Sequence, residues 1–293
     1  MTRPLVLKLG GELLESAGDR QRIASHAAAV AAMRPLVIVH GGGRAIDAEL
    51  KRRAIAPEKV DGLRVTDRET LDVVVSVLAG TSNTELVAAL VAEGVSAVGL
   101  TGVDAGLGRA VRVAGHTSTT DVVVDLGFVG DPVDVDPSLL HLLLANGHVP
   151  VLAGLGVDAN GGVLNVNADV MACRVAASLA GSELVIAGAT AGVLDARGAT
   201  LAHLDVAGID DIISSGTATA GMVAKLSSCR TALQDGVTSI RLIDGRTLDA
   251  THGVDGAPGT TLTDGQAKGQ RPKAKEHPTW ALGPGPRARV VTR

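Results

Sequence analysis

Lys8 closes an apolar run and opens a pair of glycines, Leu7-Lys8-Leu9-Gly10-Gly11. A second apolar run, residues 36–39, leads into His40-Gly41-Gly42-Gly43. A glycine turn that feeds a helix offers an anion unpaired N–H groups and the positive end of the helix dipole. The same turn is also the ordinary tight link between a strand and a helix. With a lysine beside the first turn, the two segments outline a place where a phosphoryl group could be held and moved.

Three later segments carry groups suited to that chemistry. Asp61-Gly62-Leu63-Arg64-Val65-Thr66-Asp67 sets an arginine between a glycine turn and a helix start. A guanidinium there can grip a carboxylate through two parallel N–H donors, or simply be a solvated surface charge. In Gly161-Gly162-Val163-Leu164-Asn165-Val166-Asn167-Ala168-Asp169 two asparagines and an aspartate flank a strand-to-helix turn. They serve either as turn and cap residues or as pocket lining, with Asp169 orienting nearby lysines. In Thr219-Ala220-Gly221-Met222-Val223-Ala224-Lys225 a lysine lies near a helix N-terminus, where the dipole opposes it. A bound anion would account for that position, and so would solvation. The common nucleotide motifs are missing. There is no Gly-Lys-Ser/Thr loop, and Gly154-Leu155-Gly156-Val157-Asp158-Ala159 lacks a third glycine and comes too late for a first strand–helix turn.

These groups need a scaffold, and the hydropathy pattern supplies one. Short aliphatic runs at 5–9, 36–39, 97–100, 149–152, 184–187 and 239–243 read as buried strands. Longer amphipathic runs at 20–33, 44–53, 67–79, 82–93, 136–146, 168–180 and 219–235 read as helices. The alternation predicts an α/β fold, a mostly parallel sheet covered by helices on both faces. Residues 110–125, with Gly115 between them, are the best antiparallel hairpin. Thr66 with Glu69, Asp136 with Pro137, and Asn167 read as helix starts.

Composition narrows the function classes. The 293 residues are 46% hydrophobic, with no tyrosine, one phenylalanine and one tryptophan, so aliphatic side chains must fill the core. Residues 265–293 hold seven basic residues, one acidic residue and four prolines. This stretch reads as a basic, Pro/Gly-rich, disordered and dispensable tail. The remainder carries twenty basic against thirty acidic residues, a balance of −10, which disfavours non-specific nucleic-acid binding. Cys173 and Cys229 lie in helical stretches without metal-ligand spacing and read as buried thiols of a cytoplasmic protein. No signal segment is visible, and no unbroken apolar stretch reaches the roughly 18–20 residues of a membrane span.

The ordered set Lys-x-Gly-Gly at 8, His-Gly-Gly-Gly at 40, Gly-Leu-Arg-Val-Thr-Asp at 62, Asn-Val-Asn-Ala-Asp at 165 and Gly-Met-x-x-Lys at 221 resembles the amino acid kinase family. The resemblance runs over residues 4–264 and ends near Gly259-Thr260-Thr261-Leu262. It implies a three-layer αβα sandwich around a mainly parallel sheet of about eight strands. Residues 1–264 would form one kinase domain, with an acidic amino-acid substrate in the half up to about 180 and ATP in the half from about 181. Within the family the segments are most similar to the branch that phosphorylates N-acetyl-L-glutamate on its side-chain carboxylate in arginine biosynthesis. Lys8 and Lys225 would neutralise the transferring phosphoryl group, and Asp169 would hold both lysines. Backbone N–H groups of Gly11 and Gly43 would touch its oxygens. Arg64, Asn165 and the Gly42-Gly43 backbone would bind the acceptor. ATP would lie against Gly10, Ala189, Thr190, Gly192, Leu194, Thr217, Thr219 and Gly221, with Mg2+ carried by its phosphates and no protein metal ligands. No general base is needed, because the acceptor carboxylate is already ionised. The start of the chain, close to its first strand, implies an arginine-insensitive homodimer.

The chain departs from the family pattern in three places. Gly188-Ala189-Thr190-Ala191-Gly192 lacks an aspartate common in that turn, Val103 stands where a lysine is frequent, and Gly80-Thr81-Ser82-Asn83-Thr84 has lost two lysines. Two alternatives follow. One is a kinase of a related acidic substrate, such as carrier-protein-linked aminoadipate or glutamate in lysine biosynthesis. The other is a non-catalytic binding or regulatory member, which the retention of Lys8, Asp169 and Lys225 argues against.

Overall fold

The computed structural model describes residues 3–117, 121–248, 254 and 256–265. The basic tail beyond residue 265, expected to be disordered, lies outside the described residues. Eight strands form one sheet: β1 (Leu5–Leu9), β2 (Leu36–His40), β3 (Ala97–Thr101), β4 (Val149–Ala153), β5 (Glu183–Gly188), β6 (His203–Asp205), β7 (Ile240–Asp244) and β8 (Gly259–Thr263). Their spatial order is β6-β8-β7-β5-β1-β2-β4-β3. All neighbours are parallel except β7 and β8. The mainly parallel, eight-stranded sheet implied by the family resemblance is therefore present.

Helices α1 (Ala17–Ala31), α2 (Gly43–Arg52), α3 (Arg68–Val75), α4 (Asn83–Ala92), α5 (Ser138–Ala145), α6 (Ala168–Ser178), α7 (Val206–Ser214) and α8 (Ala220–Gln234) complete the layers. The pleat of β1 sorts its side chains between two cores. Leu5, Leu7 and Leu9 point to the side of α1 and α4, where they join Ile23, Leu86 and Leu90. Val6 points to the opposite side, with Met171 of α6 and Leu226 of α8. Lys8 follows Val6 by two residues, so the same alternation sends it toward α6 and α8. A third apolar cluster joins Ile46 and Leu50 of α2 to Val73, Val74 and Leu78.

The structure adds elements that the hydropathy pattern does not resolve. The strands β6 and β8, helix α7 and a small closed sheet of Gly108–Arg112, Val129–Val135, Leu155–Val157 and Val163–Val166 are all present. The hairpin predicted across Gly115 is corrected. Gly108–Arg112 pairs antiparallel with Val129–Val135, and a separate short ladder joins His116–Thr117 to Val123–Val124. Another hairpin links Lys59–Val60 to Leu63–Arg64. Its two central residues, Asp61 and Gly62, have φ of 49° and 84°, the left-handed pair that an Asp-Gly hairpin turn requires.

Residues Arg68–Ala92 form one helical run in which a π-helical turn, Ser76–Ser82, separates α3 from α4. Its length and mean hydropathy would suit a membrane span, but Leu71, Val73, Val74, Leu86 and Leu90 are buried in the protein core. The N-cap of α3 is Asp67, not Thr66: the Asp67 carboxylate accepts from the Thr70 N–H at 2.7 Å. Thr66 is fully buried, and its hydroxyl donates to the Arg64 carbonyl at 3.1 Å. The N-cap of α5 is Pro137 rather than Asp136, although the Asp136 carboxylate accepts from the Ser138 N–H at 2.9 Å just before the helix.

Replacing Asp67 by alanine removes that cap and should lower stability by about 1 kcal/mol in urea unfolding. Glu69→Ala, which removes the other half of the predicted capping box, should change it by less than about 0.5 kcal/mol. Equal losses in the two variants would mean that Thr66 and Glu69 cap the helix after all.

Candidate active site

Parallel pairing brings the carboxyl ends of β5, β1 and β2 side by side, and the candidate groups gather there. Lys8 aligns with Ile186 on one side and Val39 on the other. Its amine lies 2.8 Å from Asp169 Oδ1, and the amine of Lys225 lies 2.7 Å from Asp169 Oδ2. One carboxylate thus bridges two ammonium groups that are 217 residues apart in the chain. Asn167 positions this carboxylate by capping α6, its side chain accepting from the Asp169 N–H at 2.8 Å. Lys225 stands in the second turn of α8, which packs along α6. Burial alone would raise the Asp169 pKa, but the charges of Lys8 and Lys225 outweigh it and hold the carboxyl well below its ordinary 3.8.

The two glycine turns touch each other. A Cβ on Gly11 would lie 2.8 Å from the Gly42 Cα, and a Cβ on Gly42 would lie 2.7 Å from Leu78 Cδ2. Gly11 is closed to a side chain by backbone, and one at Gly42 would have to displace the tip of Leu78. Gly43, the first residue of α2, faces open space, as does Gly221 in the first turn of α8. Gly10 is committed to the fold, since its N–H donates to the Ala187 carbonyl at 2.9 Å. The Glu12 side chain lies over Gly10 and 3.4 Å from where a Gly188 Cβ would sit, which places a carboxylate between the carboxyl ends of β1 and β5.

Arg64 is buried beside these turns. Its Nη2 donates to the Gly43 carbonyl at 3.1 Å and to Asp47 of α2. Asp47 is also bonded by Lys59 at 2.7 Å, and these two cations lower its pKa against the opposing effect of burial. The Nη1 of Arg64 is buried and has no hydrogen-bond partner among the described residues. A buried cationic donor without an acceptor is costly, and a carboxylate ligand would supply the missing half. Asn165 donates to the Thr66 hydroxyl at 3.1 Å, so Arg64, Thr66 and Asn165 form one hydrogen-bonded wall.

The remaining candidates are arranged less tightly. Ala189, Thr190 and Leu194 are exposed in the segment after β5, and the Ala189 carbonyl accepts from Arg246 at 3.0 Å. Gly192 has φ of 119°, and a Cβ there would lie 2.4 Å from the Thr260 hydroxyl, so packing already explains it. Thr217 bonds Ser215 at 2.8 Å. Thr219 is the N-cap of α8 but makes no side-chain capping bond. Among the described residues no group of three or more His, Cys, Asp or Glu side chains is arranged to hold a metal. Cys173 and Cys229 are free, buried thiols, one helical turn beyond Asp169 and Lys225 respectively. Asp47 and Glu12 had no signal in the sequence beyond being acids near glycine turns.

A sequence model of the amino acid kinase family matches residues 3–244. The chain belongs to the amino acid kinase family. Curated members similar to it include the acetylglutamate kinase of Stutzerimonas stutzeri (strain A1501), 38% identical over 90% of this chain and 91% of that one. The acetylglutamate kinase of Symbiobacterium thermophilum is 39% identical over 83% of this chain and 85% of that one. The fold is shared with smu.665 from Streptococcus mutans UA159, with a TM-score of 0.73, 28% identity and coverage of 89% and 98%. It is also shared with the N-acetylglutamate synthase of Neisseria gonorrhoeae, solved with coenzyme A and N-acetyl-glutamate, with a TM-score of 0.77 and 23% identity. That match covers 89% of this chain, which spans 59% of the synthase chain.

The bridging carboxylate makes stability depend on acid. Because the folded-state pKa of Asp169 is depressed, its contribution is complete above about pH 4 and is lost as pH falls through the lower folded-state value. Urea unfolding midpoints measured from about pH 6 down to about pH 3 should therefore fall less steeply in Asp169→Asn than in the unsubstituted protein. Parallel curves would show that the carboxylate is not ionised between the two lysines.

Proposed function

We propose that this chain transfers the γ-phosphoryl group of ATP to the side-chain carboxylate of N-acetyl-L-glutamate, giving an acyl phosphate for arginine biosynthesis. The observation that carries the reading is the similarity to two acetylglutamate kinases over nearly their whole lengths. The geometry agrees with it. Phosphoryl transfer asks a protein for in-line positioning and charge neutralisation rather than covalent chemistry. Lys8 and Lys225 supply positive charge from two directions, and Asp169 keeps both amines at one point. The N–H groups of Gly11 and Gly43 add donors to the phosphoryl oxygens.

Arg64 takes the acceptor's α-carboxylate on its unpartnered Nη1, with Asp47 fixing the other nitrogen. Asn165 and the Gly42-Gly43 backbone complete the acceptor pocket in the half of the domain up to about residue 180. ATP lies against the Gly10 turn, the 189–194 segment and the start of α8, in the half from about 181. Magnesium enters on the ATP phosphates and screens their charge.

We further infer a homodimer. The edge strand β3 is only partly buried, and Val91 and Leu142, on the two helices α4 and α5, are 56% and 60% exposed. An open sheet edge flanked by apolar side chains is a surface that a second copy would cover. The free cysteines suit a reducing cytoplasm.

The test is an ATP-dependent hydroxamate assay with acetylglutamate, glutamate, aspartate, aminoadipate and carbamate. Acetylglutamate should be the preferred acceptor, and preference for another acid would reassign the substrate. Lys8→Met and Lys225→Met should each lower kcat by about two orders of magnitude or more with smaller changes in KM. Arg64→Ala should act mainly on the acceptor KM. A Lys8→Met enzyme with near-normal kcat would remove the phosphoryl-contact role.

A further inference from the structure

One buried polar network lies beneath the second glycine turn and touches none of the reacting groups. His40, the last residue of β2, is fully buried, and so, to 5% exposure, is Asn83, the first residue of α4. The Asn83 amide nitrogen lies 2.9 Å from the Val151 carbonyl and 3.0 Å from His40 Nε2. His40 Nδ1 lies 3.1 Å from the Gly41 carbonyl.

The hydrogen positions follow from these contacts. The Val151 carbonyl can only accept, so it fixes the amide nitrogen of Asn83 on that side. The second amide hydrogen then donates to His40 Nε2, which must carry no proton. The ring is therefore the neutral tautomer with its proton on Nδ1, and that N–H donates to the Gly41 carbonyl. Complete burial supports a neutral ring, pushing the His40 pKa down to about 4.

The Gly41 carbonyl belongs to the peptide that links Gly41 to Gly42. A trans peptide points its C=O and N–H in opposite directions. Tying the carbonyl down to the buried ring thus turns the Gly42 N–H away from that ring. The turn is set from other sides as well: the Gly41 N–H donates to the Leu9 carbonyl at 3.1 Å, and Leu78 of the π-helical turn packs on Gly42. That same π-helical turn delivers Asn83 to the histidine. Gly99 of β3 completes the arrangement, because a Cβ there would sit 2.2 Å from Asn83 Oδ1.

We propose that Asn83 is a positioning residue for phosphoryl transfer, acting through the His40 imidazole to aim the Gly41–Gly42 peptide at the acceptor and the phosphoryl group. The assignment of the reaction rests on the function proposed above, whereas the tautomer and the network do not. Asn83→Leu should lower kcat by about 10- to 100-fold, the range that small misplacements of a reacting geometry produce, with both KM values changed by less than about threefold. Asn83→Asp loses the donor to the Val151 carbonyl, but its buried carboxyl, when protonated, still donates to the unprotonated Nε2 and leaves the Nδ1–H bond to Gly41 in place, so its kcat should lie above that of Asn83→Leu. Gly99→Ala, which displaces the asparagine without altering its chemistry, should reproduce the loss in kcat.

Nitrogen NMR of the unsubstituted protein at neutral pH should show His40, identified by the signal lost in His40→Gln, protonated on Nδ1 alone. A ring protonated on Nε2 would overturn the proposal, whether or not the variants fold. So would a folded Asn83→Leu enzyme with unchanged kcat, or one in which the loss appears only in KM. Unsubstituted protein inactive on acetylglutamate would instead overturn the proposed substrate, and the kcat comparison is then made with the acceptor identified by the panel.

Discussion

Two ammonium groups can share a small, partly buried volume only if an anion stands between them. In this chain the anion is the Asp169 carboxylate, with one oxygen for Lys8 and the other for Lys225. Much of the fold serves that placement. The pleat of β1 turns Lys8 toward α6, the Asn167 cap starts α6 at the right point, and the packing of α8 along α6 brings Lys225 from the far end of the sheet. The carboxylate consumes part of the positive charge it gathers. The triad keeps one net positive charge, which leaves it receptive to a more highly charged anion.

The proposed acceptor side follows a parallel logic with a different outcome. Arg64 is also held by a carboxylate, Asp47, but only through one of its two terminal nitrogens. The guanidinium plane is fixed while half of its fork stays free and buried. A lysine could not divide its charge in this way, because its amine has no fixed fork. The hydrogen-bonded chain from Arg64 through Thr66 to Asn165 ties this wall to the small closed sheet. The proposed acceptor wall is therefore built largely on elements other than the strand that carries Lys8, with the Gly42-Gly43 turn common to both roles.

The sequence exposes some of this design and conceals the rest for identifiable reasons. Lys8, Asp169 and Lys225 stand out because each sits where a strand end or helix start makes a charge conspicuous. Their common meeting point was readable only from the order of motifs, since no local pattern encodes a contact across 217 residues. Asp47 stayed hidden because an acid on the polar side of an amphipathic helix looks like any solvated charge. The hairpin at Gly115 was misplaced because the true partner of Gly108–Arg112 begins beyond residue 128. Strands β6 and β8 escaped notice because one has three residues and the other is rich in glycine and threonine. Thr66 satisfied the pattern of a helix cap, yet Asp67, one residue on, occupies the role and leaves Thr66 to brace Arg64.

The contact between Gly11 and Gly42 bears on how such an enzyme can diverge. A side chain at Gly11 would meet the Gly42 backbone and force the two turns apart, whereas one at Gly42 would have to displace the tip of Leu78. If the proposed acceptor wall is correct, variation that changes the accepted substrate enters more easily through Asp47, Arg64 and Asn165, where side chains rather than bare backbone define the space. A lineage exploring new acceptors would keep the glycines as a fixed frame and rewrite the residues across from them.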